Sequence, residues 1–170
     1  MKPSAFQYVA PGTVDEALKL LERYGDDAKI LAGGQSLVPI MNFRLGRPGV
    51  LVDINGIREM DYIREEGGRL VIGSLTRERD VEMSPLVGKK CPLLAEAISH
   101  IGHVTIRNRG TIGGSLVHAD PSAEIPTAIK CLGGEMKVQG PSGERVLGAD
   151  EFFLTYLTTS LEPSELLVEI

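Results

Sequence analysis

The sequence predicts an α+β chain, a small α/β unit followed by a mixed unit of helices and hairpins. Three observations predict this. Up to about residue 54, apolar runs and helical periodicity alternate as strand, helix, strand, helix, strand, which favours a partly parallel sheet. From Asp61 onward, short strands flank glycine turns, the pattern of β-hairpins. The change of pattern falls near residues 55–60 and divides the chain into units 1–57 and 58–170.

In the first unit, Phe6 to Val9 is a short alternating strand that Pro11-Gly12 turns. Thr13 and Glu16 have the spacing of a capping box. The helix that follows puts Ala17, Leu18, Leu20 and Leu21 on one face, and Gly25 ends it. Lys29 to Ala32 is an apolar strand running into Gly33-Gly34. Leu37 to Leu45 reads as helix despite Pro39, and Val50 to Ile54 as another apolar strand. In the second unit, Tyr62 to Arg64 and Arg69 to Ile72 flank Gly67-Gly68 as a hairpin, and Thr76 caps a short helix through Met83. Leu93 to Ile101 is helical, Arg107-Asn108-Arg109-Gly110 is a polar turn, and a helix runs from Pro121 to about Leu132. Glu135 to Gln139 and Arg145 to Leu147 form a second hairpin around Gly140 to Gly143. Ala149 to Phe153 is a short helix, Leu154 to Leu161 a loop or strand, and Leu166 to Ile170 a strand.

A chain of 170 residues can form one sizeable domain or two small units sharing a core. The net charge of −5, with no basic cluster, argues against general nucleic-acid affinity. Two cysteines, Cys91 and Cys131, cannot hold an iron–sulfur cluster or a four-cysteine zinc site and read as buried or inert thiols. No charged-then-apolar leader opens the chain, and no run approaches the roughly 18 apolar residues of a membrane span. A reduced, cytoplasmic setting is expected. The final strand stops without a polar tail, which suggests a fragment or a chain cut at a domain boundary.

The chemistry concentrates in Thr111-Ile112-Gly113-Gly114-Ser115 and the residues through Glu124. A glycine turn lets backbone N–H groups approach an anion closely, and Asp120-Pro121 is a helix-start signal. Ala32-Gly33-Gly34-Gln35-Ser36-Leu37 has the same character, following a strand and preceding a helix. Two such loops suggest a ligand with two phosphates, although each alone is equally a tight turn, and neither fits a standard dinucleotide or P-loop signature. Arg107 and Arg109 are either nearby cations or a solvated turn. Glu124 is either a ribose ligand or a solvated charge near a helix start. His118 orients backbone or ligand, while His100 and His103 lack a third metal ligand. No serine or cysteine nucleophile signature occurs, so no residue is assigned to catalysis or to a metal.

Ala32 to Leu37, Ile106-Arg107-Asn108-Arg109-Gly110 leading into Thr111 to Ser115, and His118-Ala119-Asp120-Pro121-Ser122-Ala123-Glu124 together resemble the FAD-binding medium subunit of molybdenum hydroxylases. The nearest flavour is the medium subunit of aerobic carbon monoxide dehydrogenase within the xanthine dehydrogenase family. The likeness continues through Phe152-Phe153 and Leu161 to Leu167.

The resemblance implies a two-subdomain FAD-binding domain of the vanillyl-alcohol oxidase and p-cresol methylhydroxylase type, with non-covalent FAD between the subdomains. Leu31, Ala32, Gly33, Gly34, Gln35, Ser36 and Leu37, with Thr111, Ile112, Gly113, Gly114 and Ser115, would surround the pyrophosphate through backbone amides and hydroxyls. Glu124 would meet the adenosine ribose, Ile101 would lie along the cofactor, and Leu167 would pack near the isoalloxazine ring. The molybdenum cofactor would sit in a large subunit and two 2Fe-2S clusters in a small one, in a dimer of heterotrimers. The flavin would take electrons from those clusters and pass them to an external acceptor such as NAD or a quinone. The family's C-terminal domain and its optional cysteine-rich cluster loop are not in this sequence. A nucleotide-binding or assembly module without redox activity is the alternative; a self-sufficient flavin oxidase would need acid–base residues that are not evident.

Overall fold

The computed structural model describes residues 1–170. Five elements build the first unit: β1 (Gln7–Val9), α1 (Val14–Tyr24), β2 (Ala28–Leu31), α2 (Leu37–Asn42) and β3 (Val50–Asp53). Their strands form a sheet in the order β1-β3-β2, parallel throughout rather than only in part. The central strand explains this. Val50, Leu51 and Val52 are all buried, the continuous apolar run of a strand covered on both faces. Thr13 Oγ1 accepts the Glu16 N–H at 3.2 Å, as the capping spacing predicts, but the Glu16 carboxylate takes the Gly12 N–H at 2.7 Å instead of closing on Thr13. Gly25 ends α1 at φ 50°. The next helix stops at Asn42, three residues short of the predicted Leu45, because Arg44 turns left-handed at φ 59°.

In the second unit β4 (Ile63–Glu66) and β5 (Arg69–Ile72) form the predicted hairpin, with Gly67 and Gly68 at φ 57° and 82°. Four short helices follow: α3 (Glu78–Met83), α4 (Pro85–Lys90), α5 (Pro92–Ser99) and α6 (Val104–Arg107). Thr76 does not cap α3. Its hydroxyl is taken up by the backbone of Tyr62, accepting the N–H at 3.1 Å and donating to the carbonyl at 3.0 Å. The predicted polar turn at 107–110 begins inside α6, and Arg107 is buried.

The glycine stretch is also revised. Residues Ile112–His118 form a helix, α7, so Gly113 and Gly114 are helical rather than a turn. Thr111 is its N-cap, accepting the Gly114 N–H at 3.1 Å. Thr111→Ala should therefore cost about 1 kcal/mol, read as a lower urea midpoint at constant slope; an unchanged midpoint would refute the cap. The next helix, α8 (Glu124–Cys131), starts three residues after the predicted Pro121. Asp120 does not cap it. Its carboxylate instead accepts the N–H and O–H of Ser122 at 2.9 and 2.6 Å, a local Asx turn that those bonds also hold below the usual carboxylate range.

The chain closes with β6 (Glu135–Gly140), β7 (Gly143–Gly148), α9 (Ala149–Phe152), the small hairpin β8 (Phe153–Thr155) and β9 (Thr158–Thr159), and β10 (Leu166–Glu169). The second sheet runs β10-β6-β7, antiparallel. Two hydrophobic cores result. One gathers Ile98, Ile112, Leu116, Ile125, Met136 and Phe152 between helices and the antiparallel sheet; the other gathers Ala17, Leu21, Val50, Val52 and Ile57 around the parallel sheet. Alternation along β10 sends Leu167 into the first, and Leu166 and Val168 into the second. Cys91 is half-buried, whereas Cys131, expected to be buried or inert, is exposed.

Candidate functional site

A cleft of about 730 Å³ runs between the β2–α2 loop on one side and α7, the start of α8 and β10 on the other. Of the residues the sequence singled out, Ala32, Gly33, Gly34, Gln35, Ser36, Leu37, Ile101, Thr111, Gly113, Gly114, Ser115, Glu124 and Leu167 line it. Leu31 and Ile112 do not. Leu31 ends β2, its carbonyl accepting the Ile54 N–H at 3.1 Å, and Ile112 is fully buried in the helical core with its N–H donated to Thr76 at 3.1 Å.

The two glycine loops meet directly. A Cβ on Gly33 would stand 2.5 Å from the Arg109 carbonyl oxygen and 2.8 Å from the Gly110 Cα, so only glycine permits this approach. Gly34 adopts φ 73°, a conformation side chains rarely take. A Cβ on Gly113 would stand 2.5 Å from the Ser74 side chain. That glycine serves close packing of a helix on its neighbour.

The loops differ in what they offer a ligand. The N–H groups of residues 33–37 donate no hydrogen bond within the chain, five consecutive donors on the cleft wall. By contrast, the N–H groups of Ile112, Gly113 and Gly114 are taken by Thr76, Ser74 and the Thr111 hydroxyl. Free amides on the second side are therefore fewer than the glycine pattern implies. The side chains of Thr111 and Ser115 supply hydroxyls there instead.

A hydrogen-bonded chain that the sequence did not reveal fastens one loop to the other. Asn55 Nδ2 donates to the Ala32 carbonyl at 2.8 Å, Arg77 donates to Asn55 Oδ1 at 2.7 Å, and Arg77 also donates to the Arg109 carbonyl at 2.7 Å. Asp53 accepts from Asn55 and Tyr8. Burial works against its ionisation, but those bonds outweigh it and hold the carboxyl low. These residues are scattered between positions 8 and 109, and no local pattern marks them.

Arg107 is a structural cation. Its guanidinium pairs with Glu82 at 2.9 Å and donates to the Ile101 carbonyl at 2.6 Å, fixing a residue of the cleft wall. Arg109 is exposed, and its carbonyl accepts from Arg77. His118 lines the cleft; His100 and His103 are exposed outside it. No cluster of three or more His, Cys, Asp or Glu is placed to hold a metal ion. Glu78, unremarked in the sequence, lines the cleft almost fully buried. Loss of water, then the like charge of Glu124, pushes its carboxyl up to about 7 against the opposing effect of Arg107.

The family described as "FAD binding domain in molybdopterin dehydrogenase" matches residues 4–170. The chain belongs to this family. It is 46% identical over 170 residues to the 6-hydroxypseudooxynicotine dehydrogenase complex subunit alpha of Paenarthrobacter nicotinovorans, all of this chain and 57% of that protein. It is 44% identical over 171 residues to the caffeine dehydrogenase subunit beta of Pseudomonas sp. strain CBB1, all of this chain and 58% of that protein. The structure of carbon monoxide dehydrogenase from Hydrogenophaga pseudoflava that lacks the Mo-pyranopterin moiety of its molybdenum cofactor superposes with a TM-score of 0.98 at 47% identity, over 99% of this chain and 59% of the matched one. The mixed α+β architecture of this family member is thus that of a carbon monoxide dehydrogenase chain. The chain spans under two thirds of the length of these relatives.

Proposed function

We propose that this family member is the FAD-binding electron-transfer part of a molybdenum hydroxylase. The single observation that carries the binding mode is the run of unpaired N–H groups at 33–37, in a loop packed directly against Gly110. These donors suit a pyrophosphate, whose charge no lysine in either loop is present to meet. The residues fit the cofactor: Gly33 lets the first loop pack directly on the second, which leaves the 33–37 N–H groups on the cleft wall, and Thr111 and Ser115 add hydroxyls on the facing wall. Glu124, at the start of α8, suits a ribose diol as a hydrogen-bond acceptor. Ile101 and Leu167 supply apolar surface for flat rings, Ile101 being positioned by Arg107. Bound flavin supplies reversible one- and two-electron transfer. The chain's own residues bind it, orient it and limit water around it. Units 1–57 and 58–170 are the two subdomains that share it.

The electrons come, in this reading, from 2Fe-2S clusters of a small subunit fed by a molybdenum-cofactor large subunit, within a dimer of heterotrimers in the cytoplasm. One relative is named a dehydrogenase complex subunit and another a dehydrogenase subunit, which supports a multi-subunit assembly. No helix is long and apolar enough to cross a membrane. Purified protein mixed with FAD and then desalted is expected to remain yellow, and its flavin to be bleached by substrate-reduced partner subunits. Colourless protein would overturn the binding; bound flavin that the partners never reduce would leave a nucleotide-binding module.

A further inference from the structure

Glu78 opens α3 and donates its backbone N–H to the Gly110 carbonyl at 2.9 Å. The residue is 6% exposed, and its Oε2 is buried with no hydrogen-bond partner. Its carboxyl group lies against Gly110: a Cβ there would stand 2.5 Å from both Cδ and Oε2. Because Gly110 in turn abuts Gly33, this unpartnered carboxyl sits directly behind the meeting point of the two loops, on the cleft wall.

The surroundings decide its charge. Two charged groups act on it, Glu124 from α8 and Arg107 from α6. Arg107 is already committed to Glu82 and to the Ile101 carbonyl. From α4 and α5 the chain presents Val87, Leu94 and Ile98 to the adjoining core and no charge that acts on Glu78. A buried carboxylate with no donor and an acidic neighbour is more stable as the neutral acid. The neutral acid carries an O–H donor, and no hydrogen bond within the chain engages the buried Oε2.

We propose that Glu78 is a ligand-binding residue of the cleft, donating a hydrogen bond as the neutral acid to an acceptor atom of the bound dinucleotide. This rests on the FAD reading above. A pyrophosphate or ribose provides the acceptor, and an anionic ligand beside Glu78 further favours the protonated form. The ligand therefore binds together with a proton. Since burial sets the free carboxyl near 7, affinity is full below that pH. It falls as the pH rises through 7, approaching about tenfold per unit for one linked proton.

The test is titration of FAD into the full chain between pH 6 and pH 9, in buffers of different ionisation enthalpy so that proton uptake is counted. Wild type should take up close to one proton near pH 8 and lose affinity above pH 7. Glu78→Gln keeps the shape and an N–H donor; its affinity should match wild type within a few-fold at pH 6 and stay flat as the pH rises. Glu78→Met, which lacks any donor, should bind about tenfold more weakly at pH 6, the size of one hydrogen bond to a charged group. His118 also lines the cleft, so the difference between wild type and variants carries the conclusion. An unchanged pH profile in both variants, or full affinity in Glu78→Met at pH 6, overturns the role of Glu78 while leaving FAD binding intact. Absence of binding by wild type at pH 6 overturns the FAD reading itself, and this proposal with it.

Discussion

Arg107→Ala is expected to lower the unfolding free energy by about 3 kcal/mol, the lower end for a buried ion pair that loses one partner. The side chains of Arg107 and Glu82 are only 9% and 13% exposed, so water cannot replace the lost contact. Arg79 also pairs with Glu82, at 2.9 Å, which keeps the carboxylate from being wholly unpartnered and limits the loss. The Ile101 carbonyl loses its donor as well, so the cleft wall loosens and flavin affinity falls with stability. Urea unfolding of Arg107→Ala, Glu82→Ala and the double variant measures the coupling. A double variant much less damaged than the sum of the singles is expected, because the harm lies in the stranded charge. A loss below about 1 kcal/mol for Arg107→Ala would mean that the pair is solvated, like an ordinary surface salt bridge.

The second large effect is expected at Gly33. Gly33→Val should abolish flavin retention, with a stability loss of about 1–3 kcal/mol from overpacking. The new Cβ meets backbone, the Arg109 carbonyl and the Gly110 Cα, which cannot swing aside as a flexible side chain does. The loops must separate, breaking the chain of bonds through Asn55 and Arg77 and tilting the unpaired N–H groups away from each other's focus. Gly12→Ala is the matched control, since its Cβ would stand 3.6 Å from the nearest atom. Retained affinity in Gly33→Val would sink the backbone-cradle argument.

Much of the fold was legible because its signals are local. Of the three parallel strands, β2 and β3 are short, largely apolar runs and β1 a short alternating one, and the hairpin at Gly67-Gly68 is written in two residues with positive φ. The errors came where one residue type serves two purposes. Gly113-Gly114 read as a loop, since glycine weakens helices; yet it is helical, and glycine is needed there because a Cβ on Gly113 would strike Ser74, a contact 39 positions away along the sequence. Asp120-Pro121 read as a helix start, but the Asp120 carboxylate accepts from Ser122 and the helix begins at Glu124. Arg107 read as part of a solvated turn because its partner, Glu82, lies 25 residues earlier. The clamp through Asn55 and Arg77 and the buried Glu78 were invisible for the same reason. Their meaning depends on burial and on partners that only the folded chain brings near.

The last strand has a consequence for the order of assembly. Leu166 and Val168 belong to the same core as Val14, Ala17 and Val52, and backbone bonds join Ser74 to Val168 and Ile72 to Ile170. A ribosome therefore releases the N-terminal sheet more than a hundred residues before the side chains that seal it. Until then, that sheet carries an uncovered apolar side. The nascent unit waits on a contact of very long sequence separation, the kind that slows folding and invites chaperone attention. Because β10 gives Leu167 to one core and Leu166 and Val168 to the other, the stabilities of the two halves are coupled through one strand.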